Sequence, residues 1–275
     1  MPGDEIEYDY VAGVSIGAIN ASVLATFPKG EEKEAIDLLT SLYETYTTSE
    51  LFEFYSPWWI APFTHPSFAD NTKLMEIVDE TLGDRPFQRK LSFMAADLKN
   101  GQVVIFDENM TNKERLNKII ASTSIPFAFP PQNIDDMSLV DGGMFSNVSL
   151  GDPIERCRQE VDRDEDIIVD MILCYESPWE LDKWDEENVF WKNAYQFYER
   201  RHDLAKFYVV SEDVERMYRG YHKVDFRLVV QPSENLTQSG AIPISATLED
   251  IEREIQLGIK DGIMAVKELN FKYSQ

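Results

Sequence analysis

The pentapeptide Gly13-Val14-Ser15-Ile16-Gly17 restricts what this chain can fold into more than any other stretch of it. An apolar run that reads as a strand, residues 6–11, leads into it. A run of small and apolar residues that reads as a helix, 18–25, leads out. A chain that passes from strand to helix in so few residues must turn sharply, and flanking glycines permit the turn because they bring no Cβ into it. The first turn of the helix leaves backbone N–H groups without intrahelical acceptors, aimed at whatever the turn displays. A serine held there has the setting of a nucleophile elbow. Read alone, the pentapeptide also fits an ordinary strand–helix turn.

The rest of the chain alternates in the same way. Strands are expected at 91–96, 102–106, 138–140, 167–174 and 226–230, and helices at 31–46, 71–82, 113–122, 189–207 and 248–269. Such alternation predicts an α/β fold with a mostly parallel sheet. In the last helix Leu248, Ile251, Ile255, Ile259, Gly262, Ile263 and Val266 recur at three-to-four spacing, which predicts one apolar stripe facing a core. No repeat, low-complexity linker or shift of composition marks a boundary, so a single domain over 1–275 is expected.

Charge narrows the partners. The chain carries 26 basic and 50 acidic residues, a net charge of −24. Such a surface repels nucleic acid and anionic headgroups and suits a neutral or zwitterionic partner. Two cysteines, Cys157 and Cys174, make no disulfide scaffold and read as thiols of a reducing compartment. The opening residues lack the basic start and apolar core of a secretory signal. No apolar run approaches the roughly 20 residues that span a bilayer. A cytoplasmic location is the expectation.

A serine hydroxyl needs a base before it attacks anything. The three histidines are His65, His202 and His222. Ser15, Asp141 and His222 satisfy the chain order of a Ser–Asp–His triad, but the surroundings of His222 show no recognisable catalytic turn. Asp141 is the better base. It closes the short apolar run of Leu139-Val140-Asp141-Gly142-Gly143, which places a carboxylate at a strand end, where α/β sites collect. A partly desolvated carboxylate is also a stronger base. Read in isolation, Asp141 fits a turn residue capping local N–H groups better than a base.

Taken together, these blocks resemble a known family. Residues 8–21, Tyr-Asp-Tyr-Val-Ala-Gly-Val-Ser-Ile-Gly-Ala-Ile-Asn-Ala, closely resemble the nucleophile block of patatin-like phospholipases. Asp141-Gly142-Gly143, with Asn147 at its expected place, resembles that family's aspartate block. The stretch Ala121-Ser122-Thr123-Ser124-Ile125-Pro126, residues 91–106 and residues 242–247 are similar to further blocks, in the right order. The resemblance implies a three-layer α/β/α domain and a Ser–Asp dyad without histidine. In it Ser15 is the nucleophile, Asp141 the general base, Ile16 an oxyanion donor, and Gly13, Gly17, Gly142 and Gly143 the motif glycines. The implied substrates are lipid acyl esters (phospholipids, lysophospholipids, glycerolipids), with transient contact at a membrane or micelle surface. Neither a metal nor an organic cofactor is implied. A family member that binds lipid or a protein without turnover is the alternative.

Three departures stand out. The family carries a Gly-rich loop well before its serine, which supplies oxyanion donors. Here only fourteen residues precede Ser15 and none forms such a loop, so the domain reads as N-terminally truncated relative to the family. Phe127 stands where a glycine is frequent, and Val148-Ser149 follows Asn147 where a proline is usual. Two aromatic-rich regions, 51–68 and 178–207, read either as satellite core or as an acyl-chain groove or lid. The prolines of the first, Pro57, Pro62 and Pro66, predict that no regular helix forms there.

Overall fold

The computed structural model describes residues 6–57, 60–174, 194–234, 236 and 246–273, in two compact units, 1–156 and 157–275. In the first unit β1 (Tyr10–Val14) runs into α1 (Ile16–Ala25), followed by α2 (Glu32–Thr45) and a short helix α3 (Thr48–Leu51). A small hairpin of β2 (Glu53–Phe54) and β3 (Ala69–Asp70) brackets the four-residue helix α4 (Ala61–Thr64). Then come α5 (Thr72–Leu82), β4 (Lys90–Asp97), β5 (Gln102–Asp107), α6 (Asn112–Thr123), β6 (Gln132–Ile134), β7 (Met137–Asp141) and α7 (Gly151–Cys157).

Strand β4 is the spine of a five-stranded sheet and is buried from Leu91 to Asp97. The α/β class expected from the alternation holds, with a sheet that is mixed in direction. β1 pairs with β4 in parallel, whereas β4–β5, β4–β7 and β6–β7 are antiparallel. For β4–β5 and β6–β7 the reason is local. β4 reaches β5 through residues 98–101, closed by Gly101 at φ 64°, and β6 reaches β7 through Asp135, at φ 52°, and Asp136. Connections this short make hairpins and cannot make a crossover.

The pairing registers have a consequence for the site. Ala95 of β4 pairs with Val104 of β5 and with Asp141 of β7, so those strands lie on opposite edges of β4. Phe93 pairs with Phe106 of β5 and Gly13 of β1. Hence β1 and β7 share one edge of β4 and meet end to end on it: Val14 stands opposite Met94, and Asp141 opposite Ala95, the next residue.

Helices α1 and α6 pack on the sheet and on each other. Alternate side chains of β4, Leu91, Phe93 and Ala95, join Val23, Leu82, Ile119, Ile120 and Leu139 in the core. Helix α1 has apolar residues all round, as a helix inside a core must. Helix α6 opens on a capping box, in which the Glu114 carboxylate accepts from the N–H of Thr111. The buried Arg89 side chain donates to the carbonyls of Tyr8, Phe27 and Pro28 and pairs with Glu32, tying the segments before β1 and after α1 to the start of β4.

The strand expected at 6–11 is displaced: it begins at Tyr10 and ends at Val14, because its partner β4 begins at Lys90. Within 51–68 the prolines do not exclude a helix, against the expectation, but admit the four-residue α4, with Pro62 in its first turn, where the missing N–H costs nothing. Phe52 packs on Phe129 at 4.3 Å and Phe68 on Phe127 at 6.0 Å, while Phe54 and Phe63 are exposed. Trp58 and Trp59 lie outside the described residues, as do residues 178–193 and residues 242–245 of the loop before the last helix.

In the second unit β8 (Ile168–Ile172) and β9 (Asp225–Val230) pair in parallel, with α8 (Ala194–Gly220) between them in sequence and α9 (Leu248–Tyr273) packed on β9. Its buried residues include Met171, Val210, Val214, Leu228 and Leu257. The stripe expected to face a core on α9 does not. Leu248, Ile259, Ile263 and Val266 are exposed, and Leu257 and Asp261 are buried instead. Asp261 Oδ2 accepts from the N–H of Ser233 just beyond β9.

Candidate functional site

The junction of β1 and α1 holds Ser15 at φ 57° and ψ −128°, a backbone region that a residue with a Cβ enters only under constraint. Two contacts impose it. A Cβ on Gly13 would lie 2.0 Å from the carbonyl oxygen of Gly17, so only glycine lets the strand and the helix start approach this closely. The N–H of Ser15 donates to Ser122 Oγ at 3.2 Å, and Ser122 Oγ in turn donates to the carbonyl of Met94 at 2.6 Å. The elbow is thereby fastened through α6 to the residue of β4 that faces Val14.

Ser15 Oγ donates to Asp141 Oδ2 at 2.5 Å. The other carboxylate oxygen of Asp141 accepts from the N–H of Gly143 at 2.7 Å, and the Asp141 N–H donates to the carbonyl of Ser124 at 2.9 Å. Gly142 crosses β4 so closely that a Cβ would stand 2.5 Å from the Met94 carbonyl oxygen; at Gly143 a Cβ would meet Asn147 Oδ1 at 2.8 Å. Asp141 is 5% exposed. Burial pushes its carboxyl up to about 6, with the hydrogen bonds from Ser15 and Gly143 opposing that rise. A buried carboxylate of raised basicity, bonded directly to a hydroxyl at a helix N-terminus, can take the hydroxyl proton as that oxygen attacks.

Of the residues expected at the site, Ser15, Asp141, Gly13, Ile16, Gly17, Gly142 and Gly143 all gather here. Gly17 stands apart in one respect: a Cβ there would meet nothing within 4 Å. The N–H groups of Ile16 and Gly17 open α1 and have no acceptor within it. The direct bond between Ser15 and Asp141 leaves no place for an imidazole between them, so the triad through His222 does not describe this site. His65 is engaged elsewhere, stacked on Tyr55 with ring centroids 4.0 Å apart. Ser122 has a role that the sequence did not disclose. Its signal is faint: a small polar residue near the end of an apolar helix, buried without exposure. Among the described residues no group of three or more His, Cys, Asp or Glu side chains could hold a metal ion, and no helix is long and apolar enough to cross a membrane.

An α/β sheet that ends one strand in a Gly-x-Ser-x-Gly elbow, with an aspartate from a second strand against the serine, defines the class: α/β proteins of the acyl-hydrolase type. Residues 1–154, more than half the chain, match the family model of patatin-like phospholipases. The chain belongs to that family, whose general activity is the hydrolysis of lipid acyl groups.

Proposed function

We propose that this chain hydrolyses lipid acyl esters through a Ser15–Asp141 dyad and an acyl-enzyme. The observation that carries the reading is the 2.5 Å bond from Ser15 Oγ to Asp141 Oδ2 at the strained elbow. Asp141 accepts the hydroxyl proton as Ser15 Oγ bonds to the ester carbonyl carbon. The carbonyl oxygen becomes an oxyanion, and the N–H of Ile16 is placed to donate to it, the residue after the nucleophile being the usual source of such a donor. Collapse expels the alcohol, which takes the proton from Asp141 and leaves the acyl group on Ser15. A water molecule then gives its proton to Asp141 and attacks the acyl carbon, and the fatty acid leaves as Ser15 is restored. Phospholipids, lysophospholipids and glycerolipids all present the ester that this sequence of steps needs.

A fluorophosphonate probe tests the reading, since it forms a stable bond only with an activated serine. Labelling of the unsubstituted chain that disappears in Ser15→Ala and in Asp141→Asn is expected, together with loss of ester hydrolysis in both. Equal labelling of the unsubstituted chain and Ser15→Ala would overturn it. Lipid binding with neither labelling nor hydrolysis would favour the alternative, a family member that binds without turnover.

A further inference from the structure

The second unit carries a cleft of about 330 Å³ lined from α8, β9 and α9, a volume at the lower end of ligand sites. Val214 and Tyr218, one turn apart, come from α8, and Val230 is the last residue of β9. Asp261, Ala265 and Glu268 come from α9. Steps of four and three residues put them on one face of that helix. Two carboxylates thus stand on one side of the cleft, seven residues or roughly 10 Å of helix apart. The Ala265 methyl lies between them, and the valines and the Tyr218 ring add apolar lining.

Asp261 is the informative member. It is 7% exposed. Its Oδ2 accepts from the Ser233 N–H at 2.9 Å, whereas its Oδ1 has no hydrogen-bond partner among the described residues. Folded proteins leave few buried polar atoms unpaired, and each one asks for an explanation. Lys260, its neighbour in sequence, donates to Glu234 at 2.9 Å. What the Asp261 carboxylate lacks is a donor, and a charged donor makes the stronger bond. A metal ion would need several oxygens in one place, and among the described residues no group of three or more His, Cys, Asp or Glu could hold one.

We propose that this cleft binds an aliphatic diamine, one ammonium group on Asp261, the other on Glu268, and the methylene stem along the apolar lining. The separation of the carboxylates sets the length of the stem, and the apolar lining excludes a bare cation as the best occupant. A lysine side chain offers one ammonium group where the cleft offers two acceptors. The net charge of −24 draws cations towards the chain and raises their concentration at its surface. The site lies wholly within the second unit and stands apart from the ester-hydrolase reading.

The test is isothermal titration calorimetry of the full chain with hexamethylenediamine, hexylamine and hexanol at fixed ionic strength. One saturable site for the diamine is expected. Hexylamine should bind about threefold more weakly, as the loss of one exposed ion pair implies. Hexanol should bind at least about tenfold more weakly than hexylamine, as the loss of a bond between charged groups implies. Asp261→Asn keeps an acceptor for Ser233 and should weaken the diamine about tenfold. Ala265→Leu fills the cleft and should weaken it by a similar factor, with the unfolding midpoint held because leucine is nearly as good a helix former as alanine. Glu268→Gln should bring the diamine down to the affinity of hexylamine. Glu252→Gln, an exposed position of α9 outside the cleft, removes the same charge and should change nothing. Should Asp261→Asn fail to fold, Ala265→Leu and Glu268→Gln decide the matter. No saturable binding, equal affinity for hexylamine and hexanol, binding untouched by Ala265→Leu, or a loss in Glu252→Gln as large as in Glu268→Gln would each overturn the proposal, the last by assigning the binding to the acidic surface at large.

Discussion

Ser15 and Asp141 are joined by a 2.5 Å hydrogen bond across 126 positions of sequence because β1 and β7 end against consecutive residues of β4. Val14 faces Met94 and Asp141 faces Ala95, so the next side chain beyond β1 and the last of β7 are brought to the same place. The dyad is a property of sheet register. A slip of one residue in either strand would turn its side chain to the opposite face.

The state of Asp141 sets the pH dependence. It acts as a base only when ionised, and burial raises its carboxyl to about 6. Activity measured as kcat/KM on a dissolved ester is therefore expected to fall about tenfold per pH unit below about 6 and to be level above it, through one group. A profile that stays level down to pH 4 would show that Asp141 is not the base.

The same shift has a stability consequence of opposite direction. A carboxyl whose folded-state value lies above its ordinary value of 3.8 favours the fold when protonated. That contribution is full below about 3.8 and is lost as pH rises through about 6. Asp141→Asn carries no charge to bury. It is expected to gain stability over the unsubstituted chain, by up to about 3 kcal/mol at pH 8 and by less at pH 5. Denaturant unfolding at the two pH values measures it; a gain that does not grow with pH would rule out burial as the cause.

Much of this was legible in the sequence, for reasons that particular residues make plain. The alternation of strand-like and helical runs located α2, α5, α6 and β4 to within a residue or two, since local propensity and tertiary packing agree there. Ser15 and Asp141 were legible because strand ends and glycines announce themselves. The sheet's direction was not, because hairpins at 98–101 and at Asp135 and Asp136 decide it, and alternation of apolar runs says nothing about them. The face of α9 was hidden too: Leu257 and Asp261 are buried in place of the stripe, and apolar periodicity does not single them out. The positive φ of Phe127 was hinted at only by its standing where a glycine is frequent.

The two glycines of the elbow are expected to behave unequally. Gly13→Ala would set a methyl 2.0 Å from the Gly17 carbonyl oxygen and 2.7 Å from the Ala18 nitrogen, both backbone atoms that cannot move without undoing the turn. Gly17→Ala meets nothing within 4 Å and lies in the first turn of α1. The first variant should fail to fold or lose several kcal/mol, as overpacking against backbone does. The second should match the unsubstituted chain or exceed it by up to about 1 kcal/mol, the helix preference of alanine over glycine. Thermal unfolding of the two side by side decides it, and equal losses would contradict the geometry.

Ser122 offers the clearest separation of positioning from chemistry. Its hydroxyl accepts from the Ser15 N–H and donates to the Met94 carbonyl, yet it does not touch the reacting oxygen. Ser122→Ala takes the partner from the part-buried Ser15 N–H and one donor from the Met94 carbonyl, at about 1–3 kcal/mol, and frees the elbow to drift. Drift of the order of 1 Å in an attacking group costs about a hundredfold in rate. The expected outcome is a kcat on a dissolved ester that falls ten- to a hundredfold while KM stays level, with the rate of fluorophosphonate labelling falling in the same ratio. The inflection in kcat/KM near pH 6 should remain, since Asp141 keeps its bonds to Gly143 and Ser15. A loss of stability with kcat and labelling untouched would reduce Ser122 to a packing residue and detach the elbow from β4.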